Sequence, residues 1–127
     1  MYSNYTIITH WYRDILFLKL LGQSTADNAD AIAKEAIGII LQHDPPGIVV
    51  DVRELDGRLS AGETFFHVRN YPTNIPRYRT AILDLARNRE YCEFYELAAT
   101  NIGHNIRCFY CLDDAIHWLQ SDKVVNA

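Results

Sequence analysis

Apolar runs are short in this sequence. The longest, Ile15 to Leu21, is interrupted by Lys19, and nothing approaches the ~20 residues that a membrane-spanning helix needs. The opening MYSNYT lacks the basic-then-apolar order of a secretory leader, so a soluble, cytoplasmic protein is expected. Cysteine is also scarce: three residues, an odd number, do not predict a disulfide framework. Repeats, low-complexity tracts and linkers are missing. There is no excess of positive charge, the formal net charge being −4, so no nucleic-acid partner is expected. The 127 residues, 49% hydrophobic and 22% charged, suit one domain over residues 1–127 with one core. Val124 to Ala127 is expected to be a frayed tail.

Signatures of catalysis and metal binding are missing too. His10, His43, His67, His104 and His117 show no metal-ligand spacing. Cys108 and Cys111 form a C-x-x-C, but without a second pair or a paired histidine motif a zinc site is not expected. A redox motif usually places its first cysteine at a helix N-terminus, where the thiolate is stabilised. Here the two fall on a strand and at its exit, and at that spacing they face opposite ways. Cys92 falls on a helix and is expected to be half-buried. No G-x-S-x-G surrounds a serine. The prediction is no catalytic residue, no metal and no cofactor: the chain is not read as an enzyme.

What is present is an alternation of strand and helix patterns. Tyr5 to Trp11 and Ile15 to Leu21 read as two strands joined by the polar turn Arg13-Asp14, with Gly22 ending the second. Ser24, Thr25 and Asp27 compete as N-caps for a helix. Its Ile32, Ala33, Ala36, Ile37, Ile40 and Leu41 recur at helical spacing, and Pro45-Pro46 stops it. Ile48 to Val52 reads as a buried strand. Ser60 to Asn70 is a second helix with Ala61, Phe65 and Val68 on one face. Thr80 to Leu85 is a fourth strand. Asn88 to Ile102 is the clearest helix, with Tyr91, Phe94, Tyr95, Ala98 and Ile102 at i, i+3, i+4, i+7 and i+11. Gly103 suits its C-terminus and His104 its orphan carbonyls. Ile106 to Tyr110 is a fifth strand, and Asp113 caps a last helix. The order β-β-α-β-α-β-α-β-α predicts an α/β fold: a mixed, mainly parallel five-stranded sheet with four helices.

Two stretches resemble a known family. VVDVRELDGRLSAGE resembles strand 3 and the following loop of the STAS family, the anti-sigma-factor-antagonist fold. RTAILDLARNREYCEFYELAATNIGHNIRCFYCLDDAIHWL is similar to the second half of its SpoIIAA-like stand-alone branch. With the opening hairpin and helix, the resemblance covers about residues 5–120. It implies a STAS-like sheet with helices packed on it, and no catalysis. In antagonists of this family a serine at the start of helix 2 is phosphorylated by a partner kinase, which toggles a protein–protein contact. In the stand-alone branch the likeness to lipid-transfer folds implies an apolar pocket or contact with a membrane surface.

Ser60 lies where that serine would fall. The family pattern is Asp-Ser-Ser-Gly; here it reads Leu59-Ser60-Ala61-Gly62, without the acidic residue and one serine. The simpler reading is a capping box, Ser60 with Glu63, worth ~1 kcal/mol. A phosphate at the same place would sit at a helix N-terminus, which favours an anion.

Arginine and aromatic residues cluster in the middle of the chain. Nine of the twelve basic residues are arginine, and seven of those lie between Arg53 and Arg89. Arg53, Arg58, Arg87 and Arg89 fall on loops after strand C-termini, the edge where such sheets bind ligands. Arginine suits phosphate and carboxylate, although surface ion pairs would use the same residues. Phe65, Phe66, Tyr71, Tyr91, Phe94 and Tyr95 crowd helices 2 and 3. They read as core or as an apolar pocket with a polar mouth, over which Tyr71 to Pro76 could act as a lid. The expected function is a non-catalytic module binding an apolar or amphipathic anionic, lipid-like molecule between helices 2 and 3, with peripheral membrane contact as a variant. The alternative is a protein-interaction switch, with a protein partner, controlled by phosphorylation of Ser60. An exposed aromatic patch or a sheet edge could mediate a homodimer.

Overall fold

Alternation of burial along the strands builds this molecule. The structure, a computed structural model, describes residues 4–72 and 74–121; the expected fraying of Val124 to Ala127 lies outside them. The elements are β1 (Tyr5–Tyr12), β2 (Ile15–Gln23), α1 (Ala29–His43), β3 (Gly47–Asp56), α2 (Ala61–Arg69), β4 (Arg79–Leu83), a short 3-10 turn (Ala86–Asn88), α3 (Arg89–Asn101), β5 (Ile106–Phe109) and α4 (Leu112–Ser121). The sheet order is β1-β2-β3-β4-β5. β1 runs antiparallel to β2, and the other neighbours are parallel. This is the α/β order and mixed sheet that the sequence predicts.

Strands β2 and β3 are covered on both faces, which is why their sequences are nearly continuous apolar runs. On one face Leu16, Leu18, Leu20 and Ile48 pack with Ile32 of α1. On the other, Ile15, Phe17, Val49, Ala81 and Leu83 pack with Ala115 and Leu119 of α4. Leu16, Leu18, Ile48 and Leu83 are almost wholly removed from water, each contributing roughly 1.5–3 kcal/mol of transfer free energy. α1 and α3 lie over the first face, with α2 against α3.

Several boundaries differ from the sequence reading. β2 runs through Gly22 to Gln23; Gly22 has φ +104°, and a side chain there would collide with the Asn4 carbonyl. The N-cap of α1 is Asn28, not Ser24, Thr25 or Asp27, and its side chain accepts from the Thr25 N–H at 2.7 Å. α1 ends at His43, with Asp44 left-handed (φ 46°) and its N–H bonded to the Ile40 carbonyl at 2.8 Å. At the end of α3 the expectation for Gly103 holds: Gly103 (φ +96°) donates to Thr100, and the His104 backbone N–H to Ala99, closing a Schellman motif.

Candidate functional site

The side of the sheet that carries α1 holds a cavity of ≈ 200 Å³. It forms because α1 turns small residues toward the sheet. Ala29, Ala33 and Ala36 recur at i, i+4 and i+7, and they line the space with Ile37 and Ile40. Val50, Val52 and Ile82 of the sheet form its floor, and Tyr91, Cys92 and Tyr95 of α3 its far wall. An apolar cavity of ~150 Å³ accommodates benzene, whereas drug-sized ligands occupy ~300–1,000 Å³. The space therefore suits a small ring or a short acyl chain.

Polar side chains line the cavity as well. The Tyr71 hydroxyl meets the Tyr95 hydroxyl at 2.7 Å. Burial pushes both hydroxyls far above their ordinary ionisation range, so both are neutral near pH 7. The Tyr71 ring packs edge-on against His67 (5.1 Å) and His104 (5.6 Å). His67 Nδ1 reaches Asp30 Oδ1 at 2.9 Å, tying α2 to the first turn of α1. Arg77, exposed beside His104, donates to the Gly103 carbonyl. Burial lowers the affinity of His104 for a proton, and the Arg77 charge lowers it further. Cavity-lining groups that could meet an anion are thus Arg77, His104 and His67.

The arginines singled out in the sequence are dispersed. Arg53 lies on the face opposite the cavity, where strand alternation places Asp51. It binds that carboxylate through Nε at 3.0 Å and Nη2 at 2.9 Å. Burial opposes ionisation of Asp51, and the bonds from Arg53 more than offset it, holding the carboxyl below its usual range. Arg58 does line the cavity, but each of its five N–H groups is used within the protein. They reach the Asp84 carboxylate (3.3 and 3.0 Å) and the carbonyls of Val52, Leu55 and Gly57 (2.9, 2.6 and 2.7 Å). Arg87 is exposed on the 3-10 turn, and Arg89 stacks over Tyr110 at 4.2 Å. Neither lines the cavity.

The aromatic residues divide as well. Tyr71, Tyr91 and Tyr95 line the cavity. Phe65 and Phe94 instead line a separate groove between α2 and α3, with Leu97 and Ile102. Phe66 is 69% exposed. The buried residues of α2 are Thr64 and Val68, not Ala61 and Phe65, and those of α3 are Cys92 and Ala99. α3 is thus rotated so that Tyr91, Cys92, Tyr95 and Ala99 face inward, while Phe94, Ala98 and Ile102 turn toward the groove. Cys92, expected to be half-buried, is fully buried, and Cys111 is exposed beyond the end of β5. Among the described residues no group of three histidine, cysteine or acidic side chains could hold a metal ion. No helix among them is long and apolar enough to cross a membrane.

Ser60 is exposed at the N-terminus of α2 and forms both halves of the capping box. Its Oγ accepts from the Glu63 N–H at 3.2 Å, and Glu63 Oε1 accepts from the Ser60 N–H at 2.9 Å. The hydroxyl proton is left free by these two bonds.

The sequence reading did not place α1, His67, Arg77 or His104 at the site. The alanine spacing on α1 was the signal available for the cavity, because small residues on a core-facing stripe leave room above a sheet.

Two solved structures share this fold over nearly the whole chain. An anti-sigma factor antagonist from Mycobacterium paratuberculosis aligns with a TM-score of 0.61 at 16% identity, covering 91% of this chain and 94% of that one. An uncharacterized protein with a SpoIIAA-like fold from Shewanella loihica aligns with a TM-score of 0.57 at 20% identity, covering 94% and 98%. The fold is therefore STAS-like, of the SpoIIAA kind, as the sequence resemblance implies; at these identities the likeness extends to fold alone. No family model matches the chain, and no curated protein matches it by sequence.

Proposed function

We propose that this chain is a non-catalytic regulatory module that binds a small amphipathic anion in the cavity under α1. The observation that carries the reading is the mixed lining of that cavity: apolar residues from α1 and the sheet, together with Arg77, His104 and His67. Apolar burial would supply affinity at ~25 cal/mol per Å², and Arg77 would orient a carboxylate or phosphate. The cavity's size limits the apolar part to a small ring or short chain. A longer lipid tail would need the loop that carries Tyr71, Ile75 and Pro76 to lift, and peripheral docking on a membrane would take that form. Titration of the labelled protein with hexanoate, followed by NMR, tests the reading. Saturable shifts are expected at Ile37, Ile82 and His104, with none in Ala33→Leu. Arg77→Gln should weaken binding roughly tenfold, about the worth of one charge-assisted hydrogen bond. Unshifted spectra of the wild-type chain would refute it.

A second reading rests on Ser60. Its exposure and free hydroxyl proton suit phosphorylation, and the fold it shares with an anti-sigma factor antagonist suggests a protein partner that would read the start of α2. Mass analysis after incubation with a native cell extract and ATP would detect the phosphate. An unmodified Ser60, with Ser60→Asp binding no partner differently from wild type, would eliminate this reading.

A further inference from the structure

Sheets leave two edges, and proteins usually blunt both with short strands, charges, proline or bulges. In this sheet the two edges are treated differently. β5 is four residues long and carries Arg107. β1 is eight residues long, YTIITHWY, with no acidic residue, lysine, arginine or proline. Its register against β2 is unbroken from Tyr5 to Tyr12. Ile8 and Trp11 are each 47% exposed and Tyr12 is 44% exposed, and no described strand pairs with the outer edge of β1.

We propose that this edge pairs antiparallel with β1 of a second copy of the chain about a two-fold axis, joining the two sheets into one. A two-fold axis normal to the sheet keeps each face continuous and passes beside Ile8 or Thr9, the middle of the strand. With the axis beside Ile8, Tyr5 to Trp11 each face a residue of the same segment, which carries no lysine, arginine or acidic residue, and the pairing is isologous. It also avoids the like-charge opposition that destabilises cross-strand neighbours. In a chain of net charge −4, an edge clear of acidic side chains lets two copies meet without repulsion at the contact. Ile8 and Tyr12 extend one face of the joined sheet and Trp11 the other, where Trp11 meets Tyr5 or Ile7 of the second copy.

Light scattering on a sizing column and sedimentation over a concentration series test the proposal. The wild-type chain is expected at twice 14.6 kDa. Thr9→Lys and Ile8→Lys, each placing a charge beside its own copy, should halve that mass while keeping the wild-type far-ultraviolet spectrum. If either variant fails to fold, hydrogen exchange on the wild type decides: β1 amides that point away from β2 should be protected, and more so at higher concentration. A monomeric wild type overturns the proposal, whether or not another protein's strand binds the edge. So does a dimer that persists in the folded lysine variants, or free exchange of the outward β1 amides.

Discussion

The guanidinium of Arg58 and the carboxylate of Asp84 meet at 3.0 Å beneath the loop that leads into α2, and Asp84 is only 1% exposed. Asp84 also accepts from the Leu85 N–H at 2.7 Å and from Asn88 Nδ2 at 2.9 Å. One ion pair therefore ties the exit of β3, the end of β4 and the start of α3 together. One of the four arginines that the sequence offers as anion receptors is consumed in holding the scaffold.

Breaking that pair should be costly. Arg58→Ala or Asp84→Asn leaves a buried partner uncompensated, a loss of about 3–5 kcal/mol. For a chain of this size that is a fall in Tm on the order of 10 °C. Thermal and urea unfolding of the two variants measure it. A shift no larger than that of an exposed substitution would show that the pair is not a scaffold element.

The cap at Ser60 should behave differently under two substitutions. Ser60→Ala should destabilise by about 1 kcal/mol, the usual worth of such a cap. Ser60→Asp keeps an acceptor and adds a negative charge at a helix N-terminus, so its urea midpoint should equal or exceed that of wild type.

The hydroxyl pair Tyr71–Tyr95 gives a coupled prediction. Tyr71→Phe leaves the Tyr95 hydroxyl buried without its partner and should cost ~1–3 kcal/mol. Tyr95→Phe should cost a similar amount. Because both remove one interaction, the double variant should lose less than the sum of the two. Additive losses would show that the hydroxyls do not interact in solution.

His104 should make stability fall in mild acid. Burial, and then the Arg77 charge, hold its folded-state pKa below the ordinary 6.5. Between the two pKa values the unfolded chain binds more protons than the folded one, so stability rises with pH there. The contribution is complete above the unfolded value and is lost as pH falls through the folded one. His104→Gln should flatten the slope of unfolding free energy between roughly pH 7 and 5; an unchanged slope would assign the acid sensitivity elsewhere.

Much of the architecture was legible from periodicity. Apolar runs at Ile15–Leu21 and Ile48–Val52, and helical spacing at Ile32–Ile40, announce covered strands and a sheet-facing helix. The site was less legible, for identifiable reasons. The rotation of α3 depends on which neighbour covers it: Cys92 and Ala99 face inward because they are small enough to sit close to the sheet and α2, which displaces Phe94 toward the groove. The fate of Arg58 depends on Asp84, 26 positions away, and no local pattern reports such a partner. Ser60 was the opposite case: both capping-box bonds join residues three apart, so the sequence alone contained the geometry.

Ligand binding under α1 is tested by native mass spectrometry of the freshly purified chain beside Ala33→Leu, followed by organic extraction of both. The longer side chain in that variant would take up part of the cavity that Ala33 lines with Val50 and Ile82. A wild-type mass above 14.6 kDa per chain is expected, with an amphipathic anion in its extract, and neither in the folded variant. A bare wild-type mass, or the same adduct on both chains, would contradict it.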